Sequence, residues 1–412
     1  MRMTDNNKQL SVLTFNVWGL YISKDRIKRI NAIADYLATT DYDVIGLQEL
    51  WVDHDYGVIA KALKPNYPYT HRFSYGIVGS GLAVFSKHPI KSLHFMPFRL
   101  NGKPVNVHHG DWYAGKGVGH AVIEHESIDV DLFITHMIAN YHNTNISQKD
   151  PYDVHRECQL VDMLNYISQS RTDGNAVIVT GDFNLQPTDP IYDQVVRKGM
   201  FLNNRARGLL RSVWDDHHVG GAPDMDRTNS TMDNTKPSRH TFNLPGNSYS
   251  KAKKSPECID HILYDPLKLT CTGLSLELEG MIDKDSLISY SDHCGLAATF
   301  TFERSSVHRQ HADLVTYDKM SGYYVQKALK YSNDLKNQQS FLQMIGTVAF
   351  SMFLGIIFTC SGTSRGYVFG LKLLLLMSFF TLSVLLAFYA NLWINFEKNM
   401  VDQVIAEWSV YL

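Results

Sequence analysis

The chain has 412 residues, enough for one large or two ordinary domains with a substantial core. Lys plus Arg (39) against Asp plus Glu (41) leaves a net charge of −2, so there is none of the overall polycation expected of a protein that grips nucleic acid mainly through phosphate charge. The five cysteines, Cys158, Cys258, Cys271, Cys294 and Cys360, are scattered without a C-x-x-C pair, which argues against a zinc site and for reduced thiols in a cytosolic compartment.

The polar amino-terminal stretch runs directly into a strand-like segment, and no signal peptide is expected. Residues 10–17 alternate in part between apolar and polar side chains and predict a strand ending near Asn16, with Trp18 and Gly19 as a turn. Ile27, Ile30, Ile33, Ala34 and Leu37 then recur at helical spacing. Residues 43–47 predict the next strand, which delivers Gln48 and Glu49 at its carboxyl end as the first delivers Asn16. An acidic residue there can simply cap the following helix. It also suits a hard cation such as Mg²⁺, which takes oxygen ligands and often uses one or two carboxylates beside a substrate phosphate.

Residues 79–86 read as a glycine turn feeding a strand that Pro89 ends. The stretch 101–119 is rich in His, Gly and aromatic residues and includes Asp111 and Lys116. Gly117 follows that lysine where a nucleotide-binding P-loop needs Ser or Thr, so the composition alone predicts an exposed glycine-rich hairpin. Residues 130–135 predict a strand leading to His136, and Leu160, Val161, Leu164 and Ile167 mark a helix returning the chain to residues 177–187. There Val177, Ile178 and Val179 read as a buried strand that ends in Gly181, Asp182, Phe183 and Asn184 before Pro187. Gly-Asp-x-Asn makes a good turn; equally, Asp182 and Asn184 can point together into a cleft that holds a phosphate and a water.

Residues 200–257 read as loops and short elements, with a basic cluster at Lys251, Lys253 and Lys254 that either touches an anionic group or is solvated. Residues 258–263 resume a strand containing Asp260, and Asp292 and His293 precede a last strand over 295–302. No Asp, Glu, Lys or Arg occurs over 337–364 or 373–396, and each run exceeds the roughly 20 residues a membrane-spanning helix needs. Spans are expected at 341–360 and 373–393, joined by a turn at 361–366. Lys327, Lys330, Lys336 and Lys398 on one side, against Arg365 in the short loop and Lys372 near the second span, put the large domain in the cytosol. The sequons at Asn145 and Asn229 would then be unused. Between domain and spans, Tyr317, Tyr323, Tyr324 and Tyr331 lie among lysines in a polar connector, either at a lipid interface or as a solvated linker.

Asn16, Glu49, His136, Asp182, Asn184, Asp260, Asp292 and His293 thus all fall in or at the ends of predicted strands. Together they supply candidates for a cation ligand, a base for water and donors for charge on oxygen, which is what phosphodiester hydrolysis requires. The strings Leu-Thr-Phe-Asn16-Val-Trp, Gly-Leu-Gln48-Glu49, Thr-His136, Gly-Asp182-Phe-Asn184, Ile-Asp260-His-Ile and Ser-Asp292-His293 resemble, in order, the motifs of the endonuclease/exonuclease/phosphatase superfamily. The segment from Asp111 to Lys116 and the two carboxyl-terminal spans resemble one branch of it, the neutral sphingomyelinases and inositol phosphosphingolipid phospholipases C.

The resemblance implies an α+β fold, a deoxyribonuclease I-like four-layer α/β/β/α sandwich followed by a two-helix transmembrane hairpin. It implies a catalytic domain over 1–303, a connector over 304–336, the spans within 337–396 and a cytosolic tail over 397–412. On it, Glu49 with Asn16 would hold Mg²⁺, and Asp182 and Asn184 would position the phosphoryl group and water. His293 would act as general base oriented by Asp260, His136 would stabilise or protonate at the phosphoryl centre, and Asp292 would support the metal or a metal-bound water. Asp111 and Lys116 would form a lipid-regulated gate.

The implied activity is phospholipase C-type cleavage of a sphingophospholipid, sphingomyelin or an inositol phosphosphingolipid, to ceramide and a phosphorylated headgroup. The implied setting is a bilayer of the endoplasmic reticulum or mitochondria with an anionic phospholipid as activator, no nucleic acid partner and an open oligomeric state. A Mg²⁺-dependent nuclease of the same superfamily is the competing enzyme, and an inactive membrane scaffold the competing non-enzyme.

Overall fold

A computed structural model describes residues 9–141, 150–197, 210–216, 240–251, 255–283, 285, 287–302, 318–359 and 366–409. The sequons Asn145 and Asn229, Lys253 and Lys254, Tyr317, and residues 361–365 of the expected turn lie outside them. The chain divides into two compact units, Met1–Asp313 and Leu314–Leu412.

In chain order the first unit contains β1 (Gln9–Asn16), α1 (Arg26–Ala38), β2 (Val44–Gln48), α2 (Asp53–Leu63), β3 (Tyr69–Arg72), β4 (Ala83–Ser86), β5 (Ile90–Pro97), β6 (Gly117–Ile123) and β7 (Val130–His136). There follow α3 (Asp153–Ser170), β8 (Ala176–Asp182), β9 (Arg211–Ser212), β10 (Asp260–Tyr264), β11 (Leu269–Glu277) and β12 (Gly295–Phe302). They form two six-stranded mixed sheets, in the orders β11-β12-β1-β2-β4-β3 and β5-β6-β7-β8-β10-β9.

Strand alternation sets the layers. Leu10 and Val12 of β1 point between the sheets and pack in one core with Leu132 and Ile134 of β7, Ile178 of β8 and Ile262 of β10. Leu13 and Phe15, one residue out of phase, point the other way into a second core with Ile30, Ile33 and Leu37 of α1 and Ile59 and Leu63 of α2. Helix α3 buries Leu160, Val161, Leu164 and Ile167, the apolar series its spacing predicts. The two sheets approach closely at Gly46, where a Cβ would lie 2.9 Å from Ile134 Cδ1.

Each sheet contains one central parallel pair whose two strands are joined through a helix. Strand β1 runs parallel to β2 with Asn16 opposite Gln48, and β7 runs parallel to β8 with His136 opposite Asp182. Parallel strands end together, so both pairs deliver their polar carboxyl-terminal residues to one edge of the sandwich. Five strands had little signal in the sequence, among them β9, which is only Arg211–Ser212. β3, β5 and β11 are partly exposed and carry few consecutive apolar residues, and β6 opens on Gly117-Val-Gly119, which reads as hairpin rather than strand.

The second unit contains α4 (Asp318–Thr359), α5 (Gly366–Phe388), a short π-helical turn (Tyr389–Ile394) and α6 (Asn395–Ser409). Two stretches, Gly322–Phe358 and Val368–Ser409, are long and apolar enough to cross a membrane, with best windows of mean hydropathy 2.0 and 2.3 that are only 11% buried. Residues 318–336, expected as a connector, are the first turns of α4 and pair with α6. Tyr331 donates to Glu397, Ser332 donates to Asp402, and Val401, Val404 and Trp408 are buried.

Candidate active site

Asp182 sits at the centre because its backbone lies between two neighbours. His136 stands opposite it on the parallel side and Asp260 on the antiparallel side. Gly181 permits this approach: its φ is +145°, and a Cβ there would lie 2.0 Å from Thr135 O. The next polar residue, Asn184, adopts a left-handed φ of 50°, which turns its side chain back so that Nδ2 donates to Met137 O at 3.0 Å. Its backbone N–H donates to Asp182 Oδ1 at 2.9 Å. The Gly-Asp-Phe-Asn string is therefore both a turn and part of the cleft.

Asn16 joins the two sheets across the cleft. Its Nδ2 donates to Glu49 Oε1 at 3.1 Å and to Asp182 Oδ2 at 3.0 Å, while its Oδ1 accepts from Trp18 N at 2.9 Å. Glu49 itself has a left-handed φ of 58°, an uncommon state for a non-glycine residue that this site maintains. Its other oxygen, Oε2, is buried without a hydrogen-bond partner among the described residues. Burial, then the neighbouring Asp292 carboxylate, raise its pKa above the ordinary range.

His293 is held by Asp260, with Nδ1 2.8 Å from Asp260 Oδ2, and its Nε2 faces Asp182 Oδ2 at 3.8 Å. Burial lowers the pKa of this imidazole, but Asp260, then Asp182 and Asp292, outweigh it and push it up to about 10. Asp182 is pushed up to about 7, by burial first and by Asp260 second. His136 goes the other way, well below the usual imidazole value, because burial, Lys116 and His293 all disfavour its cation. Asp292 is half-buried beside His293 and accepts from Ser291 Oγ at 3.3 Å.

Asp111 and Lys116 are not on an exposed hairpin. They form a buried ion pair at 2.6 Å, and Lys116 Nζ also donates to Met137 O at 3.0 Å and lies 3.2 Å from His136 Nε2. The ammonium thus reaches into the site, while Tyr141 donates to Asp111 Oδ2 at 2.6 Å from behind.

Two further residues escape the sequence reading. Arg29, fully buried on α1, donates to Val17 O and Trp18 O at 2.8 Å and to Tyr290 O at 3.2 Å. It pins the segments that follow Asn16 and precede Asp292, yet in sequence it is one more helix charge beside Lys28. The Trp51 ring lies tilted with its centroid 6.3 Å from that of His136, and its buried indole N–H has no partner among the described residues.

The donor set fits a cation. Asp182, Asp260 and His293 each place a ligand atom within 4.8 Å of the others, and both Glu49 Oε2 and Asp260 Oδ1 are buried oxygens with no donor among the described residues, which is costly unless a positive charge meets them.

The model of the Endonuclease/Exonuclease/phosphatase family matches residues 13–293. Human Sphingomyelin phosphodiesterase 2 is 37% identical over 182 residues, 44% of this chain and 42% of the relative, so the chain spans less than half the length of that curated relative. A Caenorhabditis elegans protein provisionally named neutral sphingomyelinase is 32% identical over 312 residues, 72% of this chain and 67% of the relative. Among solved structures, truncated Caenorhabditis elegans TDP2 superposes with a TM-score of 0.52 at 19% identity, covering 72% of this chain and 100% of that one, a likeness of fold. The chain belongs to the endonuclease/exonuclease/phosphatase family, in its branch of neutral sphingomyelinases and inositol phosphosphingolipid phospholipases C.

Proposed function

We propose that the protein is a membrane-anchored, Mg²⁺-dependent phosphodiesterase that cleaves a sphingophospholipid, sphingomyelin or an inositol phosphosphingolipid, to ceramide and a phosphorylated headgroup. The observation that carries this reading is the meeting of Asn16, Glu49, His136, Asp182, Asp260 and His293 around one point at the end of both parallel strand pairs. The names of the relatives supply the lipid class.

Glu49 is the preferred Mg²⁺ ligand, since a hard cation favours oxygen and His293 is already engaged by Asp260. Asn16 donates to Glu49 and so orients that carboxylate rather than offering its own oxygen, and Asp292, whose charge is felt at Glu49, would support the metal or a metal-bound water. The bound cation would polarise a phosphoryl oxygen and, by its charge, bring His293 back towards an ordinary imidazole pKa.

In its neutral form His293 accepts a proton from water at Nε2, because Asp260 accepts from Nδ1–H and so holds the tautomer that leaves Nε2 free. Asp182 and Asn184 position the phosphoryl group and that water. Lys116, steadied by Asp111, brings positive charge beside neutral His136, where negative charge grows as water oxygen bonds to phosphorus and the ceramide oxygen leaves. That oxygen is protonated as ceramide, the proton His293 took from water balancing the one it gains.

The catalytic domain is assigned to 1–303, the connector to 304–336, the spans to 337–396 and the tail to 397–412, with the catalytic domain facing the cytosol at the endoplasmic reticulum or mitochondria. An anionic phospholipid is the assigned activator.

Product analysis tests the reading. Full-length protein in liposomes with Mg²⁺ is offered sphingomyelin, an inositol phosphosphingolipid or plasmid DNA. Release of ceramide supports the proposal; cleavage of DNA without ceramide release overturns it in favour of the nuclease.

A further inference from the structure

Two loop tips beside the site hold large apolar side chains in solvent. The first follows Asn16 and Trp18 directly: Leu20, Tyr21 and Ile22 are all exposed, Ile22 at 91%, with Lys24 and Ile27 exposed next to them. The second carries Tyr75, Ile77 at 70% and Val78. This second tip is fastened to the Asp111–Lys116 segment, because Gly76 bridges to Ala114, Val78 N donates to Tyr113 O at 3.3 Å and Gly115 N donates to Gly79 O at 2.8 Å. Both tips therefore spring from segments whose other residues form the site.

Apolar side chains gathered at exposed tips indicate a partner. Large apolar and aromatic residues mixed with lysine suit the boundary between headgroups and acyl chains, where the apolar part is buried and the ammonium meets phosphate. The same chain carries two helices long and apolar enough to cross a membrane, so a bilayer is the apolar phase within its reach.

We propose that the tips at Leu20, Tyr21 and Ile22 and at Tyr75, Ile77 and Val78 dip into the surface of a phospholipid bilayer and form the rim through which the substrate's phosphodiester reaches Asp182 and His293. The proposal rests on the reading of the substrate as a bilayer lipid. It explains how a headgroup-level phosphate meets a buried site while its hydrocarbon chains stay in lipid.

The test places the photo-crosslinking residue p-benzoylphenylalanine at Ile22, Ile77 or Leu267 of the full-length protein in phosphatidylcholine–phosphatidylserine liposomes with an alkyne-tagged phospholipid. Leu267 is the control, 58% exposed but on the turn after β10, at the end of that strand remote from Asp260. Lipid adducts at positions 22 and 77 exceeding those at 267 by about fivefold or more are expected. Equal labelling at all three, or none at 22 and 77, overturns the proposal. Because adducts are counted without turnover, tip labelling in a protein that releases no ceramide would sink the catalytic reading and leave the bilayer rim standing. As a second measurement, the double variant Ile22→Ser/Ile77→Ser should lose about tenfold in turnover on bilayer substrate while Leu267→Ser stays within about twofold of the parent; loss in neither counts against the rim.

Discussion

His293 and Asp260 come from segments 33 residues apart in sequence, yet Nδ1 of one lies 2.8 Å from Oδ2 of the other with both side chains buried. Asp260 is fixed by its place in β10 opposite Asp182, and His293 by Cys294 N donating to Thr241 O at 2.8 Å. The carboxylate both orients the imidazole and raises its pKa.

His293→Ala should therefore lower kcat by about 10²–10⁴, the usual worth of a positioned base. Asp260→Asn should lower kcat less and move the acidic limb of the rate profile to lower pH. The sign follows from the charge: Asp260 favours the imidazolium, so its loss lowers the His293 pKa and frees the base at a more acid pH. A pH–rate profile that keeps its acidic limb in place in Asp260→Asn refutes this role.

Chelation of divalent cations with EDTA should abolish turnover, and Mg²⁺ should restore it. Glu49→Gln should raise the Mg²⁺ concentration needed for half-maximal activity by about 10–100-fold, and Asn16→Ala, which frees the Glu49 carboxylate, should raise it too. Titration of activity against free Mg²⁺ checks both; an unchanged midpoint in Glu49→Gln places the metal elsewhere.

Lys116→Met leaves the Asp111 carboxylate buried without its cation and should cost about 3–5 kcal/mol in chemical denaturation. Asp111→Asn/Lys116→Met together should cost less than the sum of the single variants, because neither charge is then stranded. Additive losses would show that the two side chains act independently.

Gly181→Ala should lower both stability and activity, since its Cβ would lie 2.0 Å from Thr135 O at a φ that L side chains rarely adopt. The expected loss is about 1–3 kcal/mol or more, read by urea denaturation. Gly174→Ala, with open space around its Cβ, is the control and should be nearly neutral.

Full-length protein should remain in the membrane pellet after alkaline carbonate extraction, and deletion of residues 314–412, the second compact unit, should shift the catalytic unit to the soluble fraction. Extraction of the intact chain by carbonate would contradict the spanning assignment.

Much of this was legible in the chain itself. Period-two alternation in β1 and the apolar runs of β2, β7 and β8 betray buried strands, because a strand covered on both faces must be apolar on both. The charge-free runs over 337–364 and 373–396 signalled the apolar helical stretches within Gly322–Phe358 and Val368–Ser409, which are long and apolar enough to cross a membrane. The ordered polar residues at strand ends pointed to the family, since each motif is local and survives as a string.

Contact across the sequence was decided only by folding. Nothing local says that Arg29 turns inward to pin Val17, Trp18 and Tyr290, or that the glycine-rich stretch at 111–119 buries an ion pair and then becomes β6. Burial and charge at Lys116 and His136 depend on which strands lie side by side, and the register that sets Asp182 between His136 and Asp260 exists only once both sheets have formed. Short motifs therefore picked out polar groups that the fold gathers at one place, while the tertiary structure shifts their pKa values, because desolvation and neighbouring charge are properties of the packed site rather than of any one segment.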